Sequence, residues 1–333
     1  MIRSFRKFFE FAGHQSRNWY LGLFYEIIRC ILEALQFAAL LVVLDGLVRD
    51  NITTQTALLA FGIMLVSVIG TIIFWYLAHG KEGEGSYRMC EDKRIQIGNR
   101  MKYMPMGYFN SHSLGNLTSV STATMSDLES MSFAIIVRTL VGVIHASIFS
   151  IAMCYFSWKI SLIFLVGVIL FMVINTMLLR CSKRLSPIRL EAQTEFMDAV
   201  LEYIQGMGVV RAFHMAKQSN TTLEKSIDET QKKNQLIERQ RIPYIAAEQV
   251  VLRIASAAAA FCSIALFVNG TLKLTYCLII LVSAFMVYSQ LESAGEMFFM
   301  LSMIDASIDR VEEINQSPQI DIDGKEQTPD RLD

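Results

Sequence analysis

The chain has 333 residues, of which 53% are hydrophobic and 18% are charged, and its formal net charge is −1. This composition fits either one large apolar protein or a bundle of membrane helices. Long uncharged runs alternate with charged stretches, and a soluble core does not need twenty consecutive apolar residues. We therefore predict a membrane protein. The basic residues are charges of the loops between the apolar runs, so nothing favours nucleic-acid binding.

Residues 1–17 are predicted to form a short interfacial helix on the inner membrane surface. Apolar residues recur there at helical spacing, opposite the charged ones. The segment has no sustained apolar run and no A-x-A cleavage site, so we expect no signal peptide. The apolar positions are Phe5, Phe8, Phe9 and Ala12.

Residues 18–315 contain six apolar segments, which predict an all-α membrane protein with six long transmembrane helices. The segments cover roughly residues 19–48, 55–78, 131–156, 160–179, 244–268 and 274–300. No two cysteines form a C-x-x-C pair, so we interpret them as packing residues and predict no disulfide framework and no metal site. The cysteines are Cys30, Cys90, Cys154, Cys181, Cys262 and Cys277.

Lysine and arginine are distributed unevenly around these segments. Twenty-one of them precede the first segment or lie between the second and third or the fourth and fifth. Only Arg49, Lys159 and Lys273 lie on the other side. Because basic residues are retained in the cytoplasm, both termini and the two long loops are expected there, in a plasma membrane or bacterial inner membrane.

The cytoplasmic regions are expected to be helical hairpins. Residues 55–103 contain no proline, and a continuous helix of that length would run about 70 Å, although the hydrocarbon core needs only about 30 Å. Gly80, Gly83 and Gly85 are candidate points of loosening, and Pro187 predicts a kink in the fourth helix. The connections on the other side, residues 157–159 and 269–271, are very short.

The two hairpin tips have distinctive sequences. Pro105 and Gly107 predict a break at the first tip. Residues 187–213 form an amphipathic helix with one apolar stripe, and the second tip follows it. Two glycines near its end, Gly206 and Gly208, cost helix stability, so we expect a close approach or a break just before Arg211.

At these residues the chain resembles the transmembrane half of ABC exporter-type transporters, the type IV fold. The first motif includes Pro105, Phe109, Asn110, Gly115, Leu117, Asp127 and Glu129. The second includes Glu202, Ile204, Gly206, Met207, Val210, Arg211 and Phe213. The third is the tail from Arg310 to Ile314, followed by Pro318. The resemblance covers about residues 1–320.

The resemblance implies that the two tips are coupling helices that plug into ATP-binding domains. It also implies a second transmembrane half, identical or homologous, that completes an alternating-access pathway in the bilayer. The residues expected to contact the ATP-binding domain are Ser113, Leu114, Gly115, Asn116, Leu117, Arg211, Ala212, Phe213, His214 and Lys217.

The ATP-binding domain itself is absent from the sequence. Gly324 and Lys325 are followed by Glu326, so no G-x-x-x-x-G-K-[ST] loop is present, and no L-S-G-G-Q-like signature follows. Residues 316–333 form a polar tail that leads toward the missing domain. Either the chain is cut at the domain boundary or a separate subunit supplies ATP hydrolysis. No cofactor is expected in this chain, whereas ATP and Mg would be bound by the missing domain.

Polar residues inside the spans are candidates for a substrate pathway, because such residues in membranes are commonly functional. The alternative is that they are buried hydrogen-bonding groups or lie beyond the membrane. The candidates are His145, Glu248, Gln290, Glu292 and Glu296. Glu26, Arg29 and Glu33 are further polar residues, and they lie at helical spacing on the first span, where Arg29 can pair with one carboxylate. Polar residues in other spans are Arg138, Asn175 and Arg253.

Two other functions remain open. One is a secondary transporter driven by an ion gradient, with Glu292 and Glu296 as its ion site. The other is a membrane scaffold that does not transport. The methionine cluster at Met297, Met300 and Met303 is interpreted as helix packing and not as a copper path. No arrangement of catalytic residues is recognised, and neither the substrate nor the direction of transport follows from the sequence.

Overall fold

A computed structural model describes residues 2–50, 53–109, 117–212, 221–317 and 319–320. Within these ranges the chain forms α-helices joined by short turns, and none of the described residues belongs to a β-strand. We number the helices in chain order: α1 Ile2–Ala12, α2 Ser16–Val48, α3 Thr54–Met101, α4 Met125–Ala152, α5 Trp158–Ala212, α6 Thr221–Val268, α7 Leu274–Met286 and α8 Ser289–Asn315. The predicted all-α class is confirmed.

Six helical segments are long and apolar enough to cross a membrane. They are Arg3–Val48, Thr54–Met101, Leu117–Tyr155, Trp158–Gly208, Leu223–Val268 and Leu274–Phe298. Only 11% of the most apolar window is buried in each of the first two. Helices with so much exposed apolar surface are not stable in water, so these surfaces require lipid or another apolar partner. The predicted number of spans is therefore confirmed.

Three of the helices are far longer than a bilayer requires. Helix α3 has 48 residues, α5 has 55 and α6 has 48, which correspond to about 72, 82 and 72 Å at 1.5 Å per residue. The hydrocarbon core accounts for only about 30 Å of each. Helix α3 continues through Gly80, Gly83 and Gly85, and it ends at Met101, shortly before Pro105. The predicted helical extensions are confirmed, and the three glycines do not interrupt the helix.

The expected break before Arg211 is wrong. Helix α5 continues through Pro187, Gly206 and Gly208 and ends at Ala212. A Cβ added at either glycine would meet nothing within 4 Å. The helix can continue because the rest of its length outweighs the unfavourable propensity of the two glycines, which is about 1 kcal/mol each. Within the described part of the chain, neither glycine is required for close packing.

The chain divides into two compact units. The first unit contains Cys30–Ile69 and Thr139–Ser302, and the second contains Ile2–Arg29, Gly70–Arg138 and Met303–Asp333. In the second unit, α1 packs against the chain itself. The buried Phe8 ring contacts Trp19 at 5.0 Å, and the Ser4 hydroxyl donates to Asp305 Oδ2 at 2.7 Å. Part of the apolar face expected to contact the membrane surface is therefore covered by protein.

In the first unit, α5 and α6 form a hairpin held by apolar and polar contacts. Leu185 and Ile237 are buried together. Further along, Lys233 Nζ lies 2.7 Å from Glu195 Oε2, and the Thr230 hydroxyl donates to the Ala192 carbonyl oxygen at 3.2 Å. The hydrogen bond to Glu195 raises the pKa of the Lys233 ammonium above its ordinary value. These contacts join the two long helices beyond their apolar segments.

The sixth span is not one regular helix. Helix α7 ends at Met286 and α8 begins at Ser289, so Val287 and Tyr288 form a break between them. The hydroxyl of Tyr288 donates to the Phe164 carbonyl oxygen of α5 at 2.9 Å. A tyrosine in an apolar span needs a partner for its hydroxyl. Tyr288 finds this partner in the Phe164 carbonyl oxygen, at the point where the helix is interrupted. The sequence predicted a single segment and did not indicate the break.

Candidate functional site

The first unit contains a buried polar pair between α5 and α6. Glu248 on α6 is 3% exposed and Asn175 on α5 is fully buried. The amide Nδ2 of Asn175 donates to Glu248 Oε2 at 3.2 Å and to the Phe171 carbonyl oxygen at 3.1 Å. Because buried polar groups are costly unless they are hydrogen-bonded, this pair fixes the rotation of both helices.

A glycine on α8 makes space for the Glu248 carboxylate. A Cβ added at Gly295 would lie 1.9 Å from Glu248 Oε1, which is far inside van der Waals contact. Glu292 and Glu296, on the same helix as Gly295, lie within electrostatic range of Glu248. Glu292 and Glu296 on α8 therefore add negative charge in the neighbourhood of Glu248 on α6.

One of these carboxylates has a cationic partner. Arg253 Nη2 lies 3.1 Å from Glu292 Oε1 and 3.2 Å from Glu292 Oε2. Glu296 is exposed. The site therefore combines a buried carboxyl group, a carboxylate paired with a guanidinium and a further carboxylate at the surface. Such a site can attract a cation or a proton, or it can bind the polar groups of a larger molecule.

The remaining pathway candidates lie elsewhere in the first unit. His145 on α4 has Nε2 at 3.8 Å from Glu33 Oε2 on α2, and its ring contacts that of Phe149 at 4.4 Å. Gln290 is exposed, and its backbone carbonyl oxygen lies at the contact with Gly142. The structure thus brings together Glu248, Glu292 and Glu296 and places His145 in a pair with Glu33.

The residues predicted to contact an ATP-binding domain are only partly described. Leu117 is 1% exposed and lies three residues before a π-helical turn at Val120–Thr124. Arg211 and Ala212 form the end of α5. The other members of the set lie outside the described residues: Ser113, Leu114, Gly115, Asn116, Phe213, His214 and Lys217.

Sequence reasoning did not connect the residues of the carboxylate site. Asn175 and Glu248 are 73 positions apart. Gly295 has no side-chain functional group that would mark it as part of a site. Glu292 and Glu296 were recognisable as neighbours because residues four apart share a helix face. A pairing of Arg29 with one neighbouring carboxylate was also foreseen, and the structure places Arg29 Nε 2.6 Å from Glu26 Oε2.

These features define a multi-pass α-helical membrane protein with helices that extend beyond the bilayer and carboxylates inside its helix packing. Comparison with protein families identifies the chain more closely. Residues 19–291 match the family model of the ABC transporter transmembrane region. The chain belongs to this family and is a membrane subunit of an ABC transporter. No curated protein matches the chain.

Proposed function

We propose that the chain is the membrane-spanning subunit, or half, of an ATP-driven ABC transporter that moves a substrate by alternating access. The observation that carries this proposal is the length of α3, α5 and α6 in a chain of this family. About 40 Å or more of each helix is not needed to cross the hydrocarbon core. Long stiff helices can transmit a rigid-body motion from a cytoplasmic ATPase to the membrane.

In this proposal the hairpin tips dock on an ATP-binding domain, which is either fused to the chain or a separate subunit. Residues 113–117 form the first contact, and residues 211–214 together with Lys217 form the second. The contacts between α5 and α6, including Lys233 with Glu195, support the role of the second hairpin as a rigid lever. ATP and Mg would be bound by the ATP-binding domain.

A second transmembrane half would complete the pathway, either an identical copy or a homologue. The exposed apolar surface of the described helices leaves room for such a partner as well as for lipid. We assign both termini and both hairpin tips to the cytoplasm of a cell with a plasma membrane or bacterial inner membrane, because the basic residues cluster on that side.

We assign the substrate pathway to the carboxylate site formed by Glu248, Glu292 and Glu296, with Gln290 and His145 as further pathway residues. The gathering of three carboxyl groups also supports a second candidate function, a carrier driven by an ion gradient. The two functions differ in their energy source. An ATP-driven transporter loses transport when ATP is removed, whereas an ion-driven carrier loses it when the gradient is dissipated.

The test begins with the protein purified from its native host in mild detergent, with the subunits that accompany it. We expect an ATP-binding domain in the purified material, as part of a longer chain or as a co-purifying subunit, and Mg-dependent ATP hydrolysis. The variant Phe213→Ala should lower ATP hydrolysis or the recovery of a separate ATPase at least tenfold. Phe261→Ala is the matched control, because that phenylalanine is 75% exposed on α6, within the predicted fifth span.

Two results would contradict the proposal. One is purified protein without any ATPase together with transport that survives ATP depletion, which would favour the ion-driven carrier. The other is an ATPase whose activity and recovery are the same in Phe213→Ala as in the wild type, which would remove the second tip from the coupling contact.

A further inference from the structure

The second unit contains a group of three side chains that the proposed transport function does not use: two buried carboxyl groups and a half-buried imidazole. Glu26 lies on α2, and His79 and Glu82 lie one turn apart on α3. One potential ligand atom from each residue lies within 4.8 Å of the other two. Glu26 is more than 50 residues before the other two in sequence, so the packing of α2 on α3 creates the group.

Glu82 is the residue that calls for an explanation. It is fully buried, and neither of its carboxylate oxygens has a hydrogen-bond partner among the described residues. His79 Nδ1 is also buried without a hydrogen-bond partner, and it lies 4.0 Å from Glu82 Oε2. A buried carboxylate is normally paired, hydrogen-bonded or bound to a metal. A bound cation would satisfy the carboxylate oxygens of Glu82 and the ring nitrogen of His79.

Neighbouring residues pack closely against Glu82 and His79. A Cβ added at Gly22 would lie 2.3 Å from Glu82 Cγ, so the glycine allows Glu82 to lie directly against α2. The rings of Trp75 and Phe133 contact the His79 ring at 4.4 and 5.0 Å. These rings cover part of the His79 side chain, which remains 38% exposed, whereas Glu82 is fully buried. Burial strengthens the attraction between a carboxylate and a cation.

The guanidinium of Arg29 lies next to the group. Arg29 Nε is 2.6 Å from Glu26 Oε2. Among the described residues, neither oxygen of Glu82 has a hydrogen-bond partner, and His79 Nδ1 lies 4.0 Å from one of them. A divalent ion would balance the two carboxylates, while Arg29 would hold Glu26 in position as an outer partner, as is common for metal-binding carboxylates.

We propose that Glu26, His79 and Glu82 bind one divalent transition-metal ion, Zn²⁺ or Mn²⁺, which fixes helix α2 to helix α3. One imidazole nitrogen with two carboxylates is a mixed donor set that suits these ions, whereas Mg²⁺ and Ca²⁺ prefer oxygen alone. Two bonds of about 2.0–2.2 Å place donor atoms no more than about 4.4 Å apart. A small rotation of the three side chains brings them within that range.

The test uses the full chain, purified in detergent with its accompanying subunits and stripped with a chelator. Zn²⁺ alone and Mn²⁺ alone are added, and binding is measured by calorimetry together with the thermal stability. We expect one ion per chain and a higher midpoint of unfolding. Glu82→Gln and His79→Asn should each weaken binding at least tenfold. Both substitutions keep the side chain similar in size, and unchanged elution in size-exclusion chromatography checks the fold.

Two exposed positions serve as matched controls. Glu91 lies on the same helix as Glu82, and His14 lies near the start of the chain. The variants Glu91→Gln and His14→Asn should both bind the ion as the wild type does. X-ray absorption spectroscopy of the zinc-loaded wild type identifies the ligand atoms of the ion directly and requires no variant. We expect nitrogen and oxygen ligands without sulfur, which excludes coordination by cysteine.

Three results would overturn the proposal. The first is a folded wild type that binds neither ion, which would identify Glu82 as a protonated carboxyl group. The second is unchanged binding in both Glu82→Gln and His79→Asn. The third is a sulfur ligand in the absorption spectrum. None of these results bears on whether the transporter is driven by ATP, so this site and the proposed function fail independently.

Discussion

Gly142 on α4 lies directly against the backbone of Gln290 on α8: a Cβ added at residue 142 would be 2.7 Å from the Gln290 carbonyl oxygen. The same Cβ would be 2.5 Å from the Cβ of Ala294. Small residues allow helices in membranes to approach this closely, and association then depends on van der Waals packing. Since backbone atoms cannot turn aside as a side chain can, this contact is sensitive to any added volume.

We expect Gly142→Ala to destabilise the protein by about 1–3 kcal/mol, the usual cost of overpacking a well-packed core. The measurement is the midpoint of thermal unfolding in detergent. Gly62→Ala on α3 is the matched control, because a Cβ there meets nothing within 4 Å. Alanine should be neutral or stabilising by up to about 1 kcal/mol at that position. Equal midpoints for the two variants would contradict the contact.

A second prediction concerns Gly295 and Glu248. Gly295→Ala should force the Glu248 carboxylate away from its present position and break its hydrogen bond with Asn175. Glu248→Ala removes the obstructing atoms, so the double variant should be more stable than the sum of the single effects predicts. We expect a coupling energy of about 0.5–3 kcal/mol. Gly295→Ala combined with Glu296→Ala is the control. If the effects are strictly additive in both double variants, Gly295 does not pack against Glu248 as described.

The break in the sixth span leads to a third prediction. Tyr288→Phe removes the hydroxyl that bonds to the Phe164 carbonyl oxygen, and it should cost about 0.5–1.5 kcal/mol of stability. Tyr155→Phe is the control, because Tyr155 is 78% exposed. Thermal unfolding of the two variants under identical detergent conditions provides the comparison. If the two variants have the same midpoint of unfolding, the hydrogen bond between Tyr288 and Phe164 does not stabilise the fold.

A fourth prediction tests the packing of α5 on α8. The hydroxyl oxygens of Ser182 and Ser302 lie 2.6 Å apart, although the residues are 120 positions apart. Cysteines at both positions, in a chain whose six native cysteines are replaced by alanine, should form a disulfide under mild oxidation. A shift in electrophoretic mobility or mass spectrometry of the joined peptides detects it. Ser182→Cys with Ser293→Cys is the control and should remain reduced, and cross-linking of equal efficiency in both pairs would refute the alignment.

The number of spans and the extended helices could be predicted because both depend on local properties of the sequence. Hydrophobic runs of sufficient length determine the spans, and the absence of proline between residues 55 and 103 allows α3 to continue to Met101. The break expected at Gly206 and Gly208 was wrong for a related reason. Propensity is a weak local preference, and the long helix α5 overrides it.

The partners of the polar side chains could not be predicted in the same way. Glu292 and Glu296 were expected to act together because they are four residues apart on one helix. Their approach to Glu248 depends on how α6 and α8 are rotated against each other, and Gly295 is essential to it. Glu82 was assigned to a helical extension beyond the second predicted span, so its burial against Gly22 was not foreseen.

The sequence by itself determined the all-α class, the six spans and the resemblance to the ABC transporter transmembrane family, because hydropathy, helical period and motif order are properties read along the chain. Only the tertiary structure decided which side chains meet. Asn175 with Glu248, Tyr288 with Phe164, and Glu26 with Glu82 are contacts between helices that are distant in sequence. They follow from the rotation and offset of whole helices, which are set by the summed packing of many residues and by no single motif.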